Sequence, residues 1–137
     1  MAVAENRVVL VDSAGALITV TERTTLRILL TLQDETGVAI AKAALTTLTL
    51  TLYLRDLAAL TIINSVDDQN ILDTDRATVH ATSGLVTLTL LPLDNQIVTA
   101  TDALEWHRAL IEWTYNTGAK AGKMEIDFPV RNLAKVT

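Results

Sequence analysis

The sequence contains no cysteine, which removes disulfides, thiolate metal sites and a cysteine nucleophile at once and leaves the redox compartment open. Aromatic residues make up only 4% of the 137-residue chain, so a core must come mainly from Leu, Ile, Val and Ala. No run approaches the ~20 apolar residues of a membrane-spanning helix, and no membrane partner is expected. Positive charge is in deficit, 11 Lys and Arg against 16 Asp and Glu, for a net charge of −5. That balance argues against a broad grip on nucleic acid, which needs clustered cations. The opening residues MAVAENRVVLVD lack a basic region followed by a long apolar stretch, so a signal peptide is not expected.

Hydrophobic residues and threonine are what the chain has in quantity. Hydrophobic residues reach 50% and threonine numbers 21, a β-branched residue suited to pleated, half-exposed surfaces. The length fits one domain, able to bury about two-thirds of the surface exposed on unfolding. The clearest pattern is LTTLTLTLYLRD at 45–56, where Leu48, Leu50, Leu52 and Leu54 alternate with Thr47, Thr49, Thr51 and Tyr53. Period-2 alternation predicts a long strand with one face in the core and a mildly polar face outside. A one-residue slip would expose all four leucines, so the register is strongly specified.

Further strands are expected at 17–21 (LITVT), 26–34 (LRILLTLQD), 61–66 (TIINSV), 77–82, 85–92, 105–116 and 123–130. VVLV at 8–11 reads either as a short edge strand or as an arm that is flexible or held by a partner. Turn residues separate the strands: Ser13-Ala14-Gly15, Asp34-Glu35-Thr36-Gly37, Ser83-Gly84 and the stretch 117–122. AIAKAAL at 39–45 suits one helical turn or an irregular crossing, and 93–104 a connection with one helical turn. On the final strand Met124, Ile126, Phe128 and Val130 face inward while Lys123, Glu125 and Asp127 face out. No strand alternates with an amphipathic helix, so a parallel α/β sheet is disfavoured. The expected fold is all-β, an antiparallel sandwich of about seven to eight strands, with a small closed barrel as the competing geometry. Residues 1–16 form an N-terminal arm or edge strand, 17–131 the sandwich and 132–137 a tail.

Chemistry is sparse. His80 and His107 lie 27 positions apart on different expected strands, without HxH or HxxxH spacing, whereas zinc needs three or four converging ligands. Each is expected near a strand edge, bonded to water or backbone. Asp67, Asp68, Asp73 and Asp75 are the best candidates for a Ca²⁺ loop, but DDQNILDTD lacks the glycine and late glutamate of that motif. A solvated loop is the simpler expectation, as is turn chemistry for Asp94 and Asn95. No GxSxG, P-loop or GxGxxG is present, and Ser13, Ser65 and Ser83 have no sequence-adjacent His and acid. No enzymatic activity, metal or cofactor is expected. Trp113 and Tyr115 share the face of His107, Ala109 and Ile111; Trp106 points the other way with Arg108, Leu110 and Glu112. Trp106 and Arg108, residue types enriched at interface hot spots, are candidate protein contacts together with Val8, Val9, Leu10 and Val11 of the arm. A carbohydrate-binding sandwich would instead expose Trp106, or Trp113 and Tyr115, as a stacking platform.

The phrases ITVTERTTLRILLTLQDETGVAI, LTTLTLTLYLRD, SGLVTLTLLPLDNQ and WHRALIEWTYNTGAKAGKMEIDFPV, spanning residues 17–131, resemble a recurrent domain of tailed-phage virions. The pattern is similar to the immunoglobulin-like N-terminal domain of upper-baseplate and tail proteins. The resemblance implies an immunoglobulin-like sandwich in a virion structural protein, assembled in the host cytoplasm and working through contacts with other virion proteins and with itself as a homo-oligomer. A tail, baseplate or head-tail adaptor is the first expectation, and a capsid decoration protein of the same fold the alternative. The arm of residues 1–16 and the lack of a fibre-like extension after the domain depart from the family pattern; the missing extension weakens the expectation of host recognition and favours that of an adaptor, connector or decoration role.

Overall fold

A computed structural model describes residues 7–56, 58–99 and 101–133; the first six residues of the expected arm and residues 134–137 of the expected tail lie outside them. The strands are β1 (Arg7–Val9), β2 (Val20–Thr21), β3 (Leu26–Thr31), β4 (Leu45–Leu54), β5 (Gln69–Asn70), β6 (Ala77–Val79), β7 (Leu85–Leu90), β8 (Leu104–Tyr115) and β9 (Lys120–Arg131). They form two sheets, a six-stranded one ordered β1-β9-β8-β4-β5 with β2 also on β9, and a three-stranded one ordered β3-β7-β6. The protein is all-β, with no helix of seven residues or more among the described residues. Single 3-10 turns occupy Lys42–Ala44 and Pro92–Asn95. Two separate sheets make a sandwich-like arrangement rather than a closed barrel. The strand number exceeds the expected seven to eight because the N-terminal region makes two separate short pairings. Both β1 and β2 run parallel to β9, at Arg7↔Glu125 and Val20↔Val130.

The leucine row of β4 is the centre of the core. Leu48, Leu50 and Leu52 are fully buried and Leu54 nearly so, each contributing about 1.5–3 kcal/mol of transfer free energy. Facing them from the smaller sheet are Ile28 and Leu30 of β3 and Val86, Leu88 and Leu90 of β7, all buried. β8 supplies Ala109, Ile111, Trp113 and Tyr115, and β9 supplies Ile126, Phe128 and Val130. The threonine face of β4 is drier than alternation alone predicts. Thr51 is buried because its Oγ1 accepts the Asp68 N–H at 2.8 Å, and Thr49 and Tyr53 are half-buried.

β8 and β9 pair over their full length, from Leu104↔Arg131 to Tyr115↔Lys120. The turn between them is tighter than the expected 117–122 loop, since β9 already begins at Lys120. Asn116 and Thr117 take positive φ there, 53° and 57°, followed by Gly118 at 87°. Trp113 lies directly across from Gly122, and a Cβ added to Gly122 would come within 2.6 Å of the indole ring. The ring therefore occupies the space a side chain at 122 would fill.

Residues 61–66 depart from the expected partner strand. They lie beside β4 as expected, with Leu54 N–H donating to Thr61 O and Ile63 N–H to Leu52 O. No regular ladder forms because Asn64 and Ser65 both adopt positive φ and turn the chain between Ile63 and Val66. The acidic segment after it, read as loop, carries the two-residue strand β5 on the edge of β4. LITVT at 17–21 is a ladder only at Val20 and Thr21.

Candidate functional site

The outer face of the six-stranded sheet gathers charged and aromatic groups that the sequence scatters from Tyr53 to Asp127. Register places Val9, Asp127, Arg108 and Tyr53 in one row across β1, β9, β8 and β4. Paired residues in a sheet point to the same face, so the arm and the Arg108 strand meet on one surface. Arg108 grips Asp127 through both prongs of its guanidinium, Nε to Oδ1 at 2.6 Å and Nη2 to Oδ2 at 3.0 Å. Glu125 stands 3.6 Å from Nη1, and the Tyr53 ring centroid lies 5.9 Å from the guanidinium carbon. The Asp127 bonds outweigh the opposing effect of burial, and the Arg108 pKa is raised. This planar, bidentate pairing is what arginine does and lysine does not.

One row further along, the Arg55 guanidinium sits 4.1 Å from the centre of the Trp106 ring, and Pro129 is the cross-strand neighbour of Trp106. Arg55 is held in turn by Asp56, Nε to Oδ1 at 2.7 Å. Trp106 is half-buried, with one ring face occupied by a cation. Val8, Val9 and Val11 are 39%, 44% and 48% exposed, while Leu10 packs against the core. Val11 bridges to Leu17 around the Asp12–Gly15 turn. Sequence alone placed Tyr53 and Asp127 on outer faces but could not join them, because the contact depends on the β4-β8-β9 register.

The other candidates fall elsewhere. Trp113 and Tyr115 are on the inner face, 6% and 5% exposed, and offer no stacking platform. His80 is exposed, and its Nδ1 accepts the N–H groups of Thr82 and Ser83 in a turn. Lys42 pairs with Asp73 at 2.6 Å, and no group of three or more metal-ligating side chains converges among the described residues. The expectation of a strand-edge His107 is corrected: it is fully buried on the inner face of β8, with Nε2 2.6 Å from Glu105 Oε1. Two positions apart on a strand, both side chains point inward.

Two buried carboxylates anchor the connections at that end of the sandwich. Glu105 accepts Val98 N–H at 2.9 Å and Thr99 N–H at 2.6 Å besides the His107 contact. Asp94 has no exposed surface and accepts from four directions. Arg76 donates through Nε and Nη2 at 2.9 Å each, Asn64 Nδ2 at 2.8 Å and Leu91 N–H at 2.8 Å. Burial works to raise both carboxyls, yet these donors outweigh it and hold both pKa values below the ordinary ones. At the surface, Lys120 and then Tyr115 hold Glu35 down from 4.5 to about 2.

These depressed values fix the direction of the acid response. A group whose folded pKa lies below its unfolded value stabilises the fold above the unfolded pKa, and that contribution is lost as pH falls through the folded one. Denaturant midpoints should therefore stay level from about pH 7 to about pH 5. They should then fall steadily below 4.5 toward 2, the interval spanned by Glu35. A midpoint unchanged at about pH 2.5 would contradict the assignment of these carboxylates as ionised, paired groups.

Comparison with known families finds no family model that matches this chain, and no curated protein matches it in sequence.

Proposed function

We propose that the chain is a non-enzymatic assembly module of a tailed-phage virion, in the tail, baseplate or head-tail region, and that it works through the outer face of its larger sheet. Its fold in this reading is immunoglobulin-like. The strand order supports that: a sheet β9-β8-β4 extended by a short β5 opposes a sheet β3-β7-β6, with the N-terminal strand laid parallel on the last. The phrases at 17–131 support the virion assignment. The observation that carries the interaction surface is the layer in which Arg55 covers Trp106 and Arg108 is locked to Asp127 beside Tyr53. Trp, Tyr and Arg are the residue types that concentrate binding energy at interfaces, and here they are already fixed in position before a partner arrives.

Mass spectrometry and immunogold labelling of virions purified from the source culture test the reading. Label along the tail axis or at its end supports it. Label spread over the shell would assign the chain to capsid decoration, and absence from purified particles would overturn the virion assignment. Trp106→Glu is expected to lower incorporation about ten-fold or more while leaving the fold intact, because the ring is on the outer face. Unchanged incorporation would remove this face as the contact.

A further inference from the structure

Among the described residues, the strands at the sheet edges are short, apart from one. On the larger sheet they are β5, Gln69–Asn70, and, both on β9, β1, Arg7–Val9, and β2, Val20–Thr21; on the smaller sheet β6 spans Ala77–Val79. The exception is β3, six residues long and the outer strand of the three-stranded sheet. Long uncovered edges are templates for another chain, and proteins that leave them free usually blunt them with proline, lysine or a bulge. β3 has no proline, lysine or bulge, and its one charge is Arg27 near its start: its sequence is LRILLT and its pairing with β7 is unbroken from Leu26↔Leu90 to Thr31↔Leu85.

The direction of its main chain follows from one bond. Leu32 N–H donates to Gly84 O at 2.8 Å, continuing the register Thr31↔Leu85 by one step. Hydrogen-bonded and non-bonded pairs alternate along an antiparallel ladder, so Leu26, Ile28 and Leu30 bond β7. Arg27, Leu29 and Thr31 then turn their N–H and C=O groups outward. Among the described residues, no backbone hydrogen bond beyond the strand ladders engages these three. Leu29, in the middle, is 65% exposed.

We infer that this edge pairs with the same edge of a second copy, antiparallel across a two-fold axis through Leu29, joining two three-stranded sheets into one. The edge is self-complementary in that register. Leu29 meets Leu29 of the second copy, and Arg27 meets Thr31 on either side. It is the one two-fold register that engages all three outward residues from within β3, with up to about six main-chain hydrogen bonds. It keeps the two arginines about 14 Å apart along the strands, whereas an axis through Arg27 would set like charges directly opposite. Pairing of two such short strands buries less than the roughly 1,200 Å² of a standard interface, so the dimer forms in about the micromolar range or above. The edge belongs to the sheet opposite the Trp106 face, and the inference is independent of the functional reading given above.

Sedimentation equilibrium of the full chain from about 1 µM to about 1 mM, with amide exchange followed by NMR, decides it. The average mass should rise from 14.8 kDa toward twice that value, and the Arg27, Leu29 and Thr31 amides should gain protection in step. Leu29→Lys sets like charges opposite, and Leu29→Pro removes an N–H that β7 does not use and that an edge strand can spare. Each should need at least ten times more protein for the same dimer fraction, with the thermal midpoint of the monomer preserved. Trp106→Ala should dimerise as the parent does. A single chain at the highest concentration with freely exchanging edge amides would overturn the inference. So would edge amides protected at every concentration, which would mean the chain covers its own edge. A dimer abolished by Trp106→Ala but kept by Leu29→Lys would place the contact on the other sheet.

Discussion

Asp94→Ala should cost about 3–5 kcal/mol of folding stability, a large share of what a domain this size has to lose. The carboxylate is fully buried and receives Arg76, Asn64 and the Leu91 amide together. Truncation leaves a guanidinium that is only partly open to water without its counter-charge, and leaves the amide donors unpaired. Denaturant titration of parent and variant at neutral pH measures the loss. Asp94→Asn keeps the shape but removes the charge and should fall between the two. A loss under about 1 kcal/mol would mean that the pair behaves like an exposed surface ion pair and that water reaches it. In the double variant Asp94→Ala with Arg76→Leu, part of the loss should be recovered, because removing both partners leaves no stranded charge.

Gly122→Ala is the second large effect, although it adds one methyl group to a strand on which alanine is otherwise ordinary. The new Cβ would sit 2.6 Å from two carbons of the Trp113 ring and 2.7 Å from its nitrogen. The indole is buried, 6% exposed, and a rigid ring cannot fold aside as the end of a flexible side chain would. Displacing it forfeits much of its packing, so the expected loss is about 3 kcal/mol, near that of truncating a buried aromatic. Tryptophan fluorescence should report the same event as a red shift toward the exposed value. The check is a cycle with Trp113→Leu: on that smaller background Gly122→Ala should cost about 1 kcal/mol or less. Equal costs on both backgrounds would mean that the ring is not what the methyl meets.

How far these features could be read from the sequence depends on the range of the contact. The leucine row of β4, the inner faces of β8 and β9 and the Asp34–Gly37 turn were legible because each is a local pattern of period two or a run of turn formers. In that turn Asp34 Oδ1 accepts the N–H groups of Thr36 and Val38, and Gly37 supplies φ 86°. The irregular course of 61–66 was not legible, since Asn64 and Ser65 take left-handed conformations in a stretch whose composition fits a strand. Asp94 was read as turn chemistry, which it is. Its partner Arg76 is 18 residues earlier in the chain, and only the tertiary fold brings them together. The same holds for the outer face: Arg108 and Trp106 stood out by residue type, while Asp127 and Tyr53 became their neighbours only once the strand register was known. Glu105 and His107 were closer to legible, because residues two apart on a strand share a face, and a glutamate pointing inward needs a partner.

The parallel strands at the beginning of the chain bear on how the domain responds to force. β1 lies beside Glu125–Asp127 and β2 beside Val130–Arg131, so both N-terminal strands run in the same direction as the last one. Tension applied to the two ends of the described chain pulls β1 backward and β9 forward along their common axis. The hydrogen bonds between them are then strained side by side in shear, and must yield together, instead of opening one after another like a zipper. A module strung between neighbours by its two ends would, on this geometry, resist being drawn out lengthwise at the seam that joins its first strands to its last.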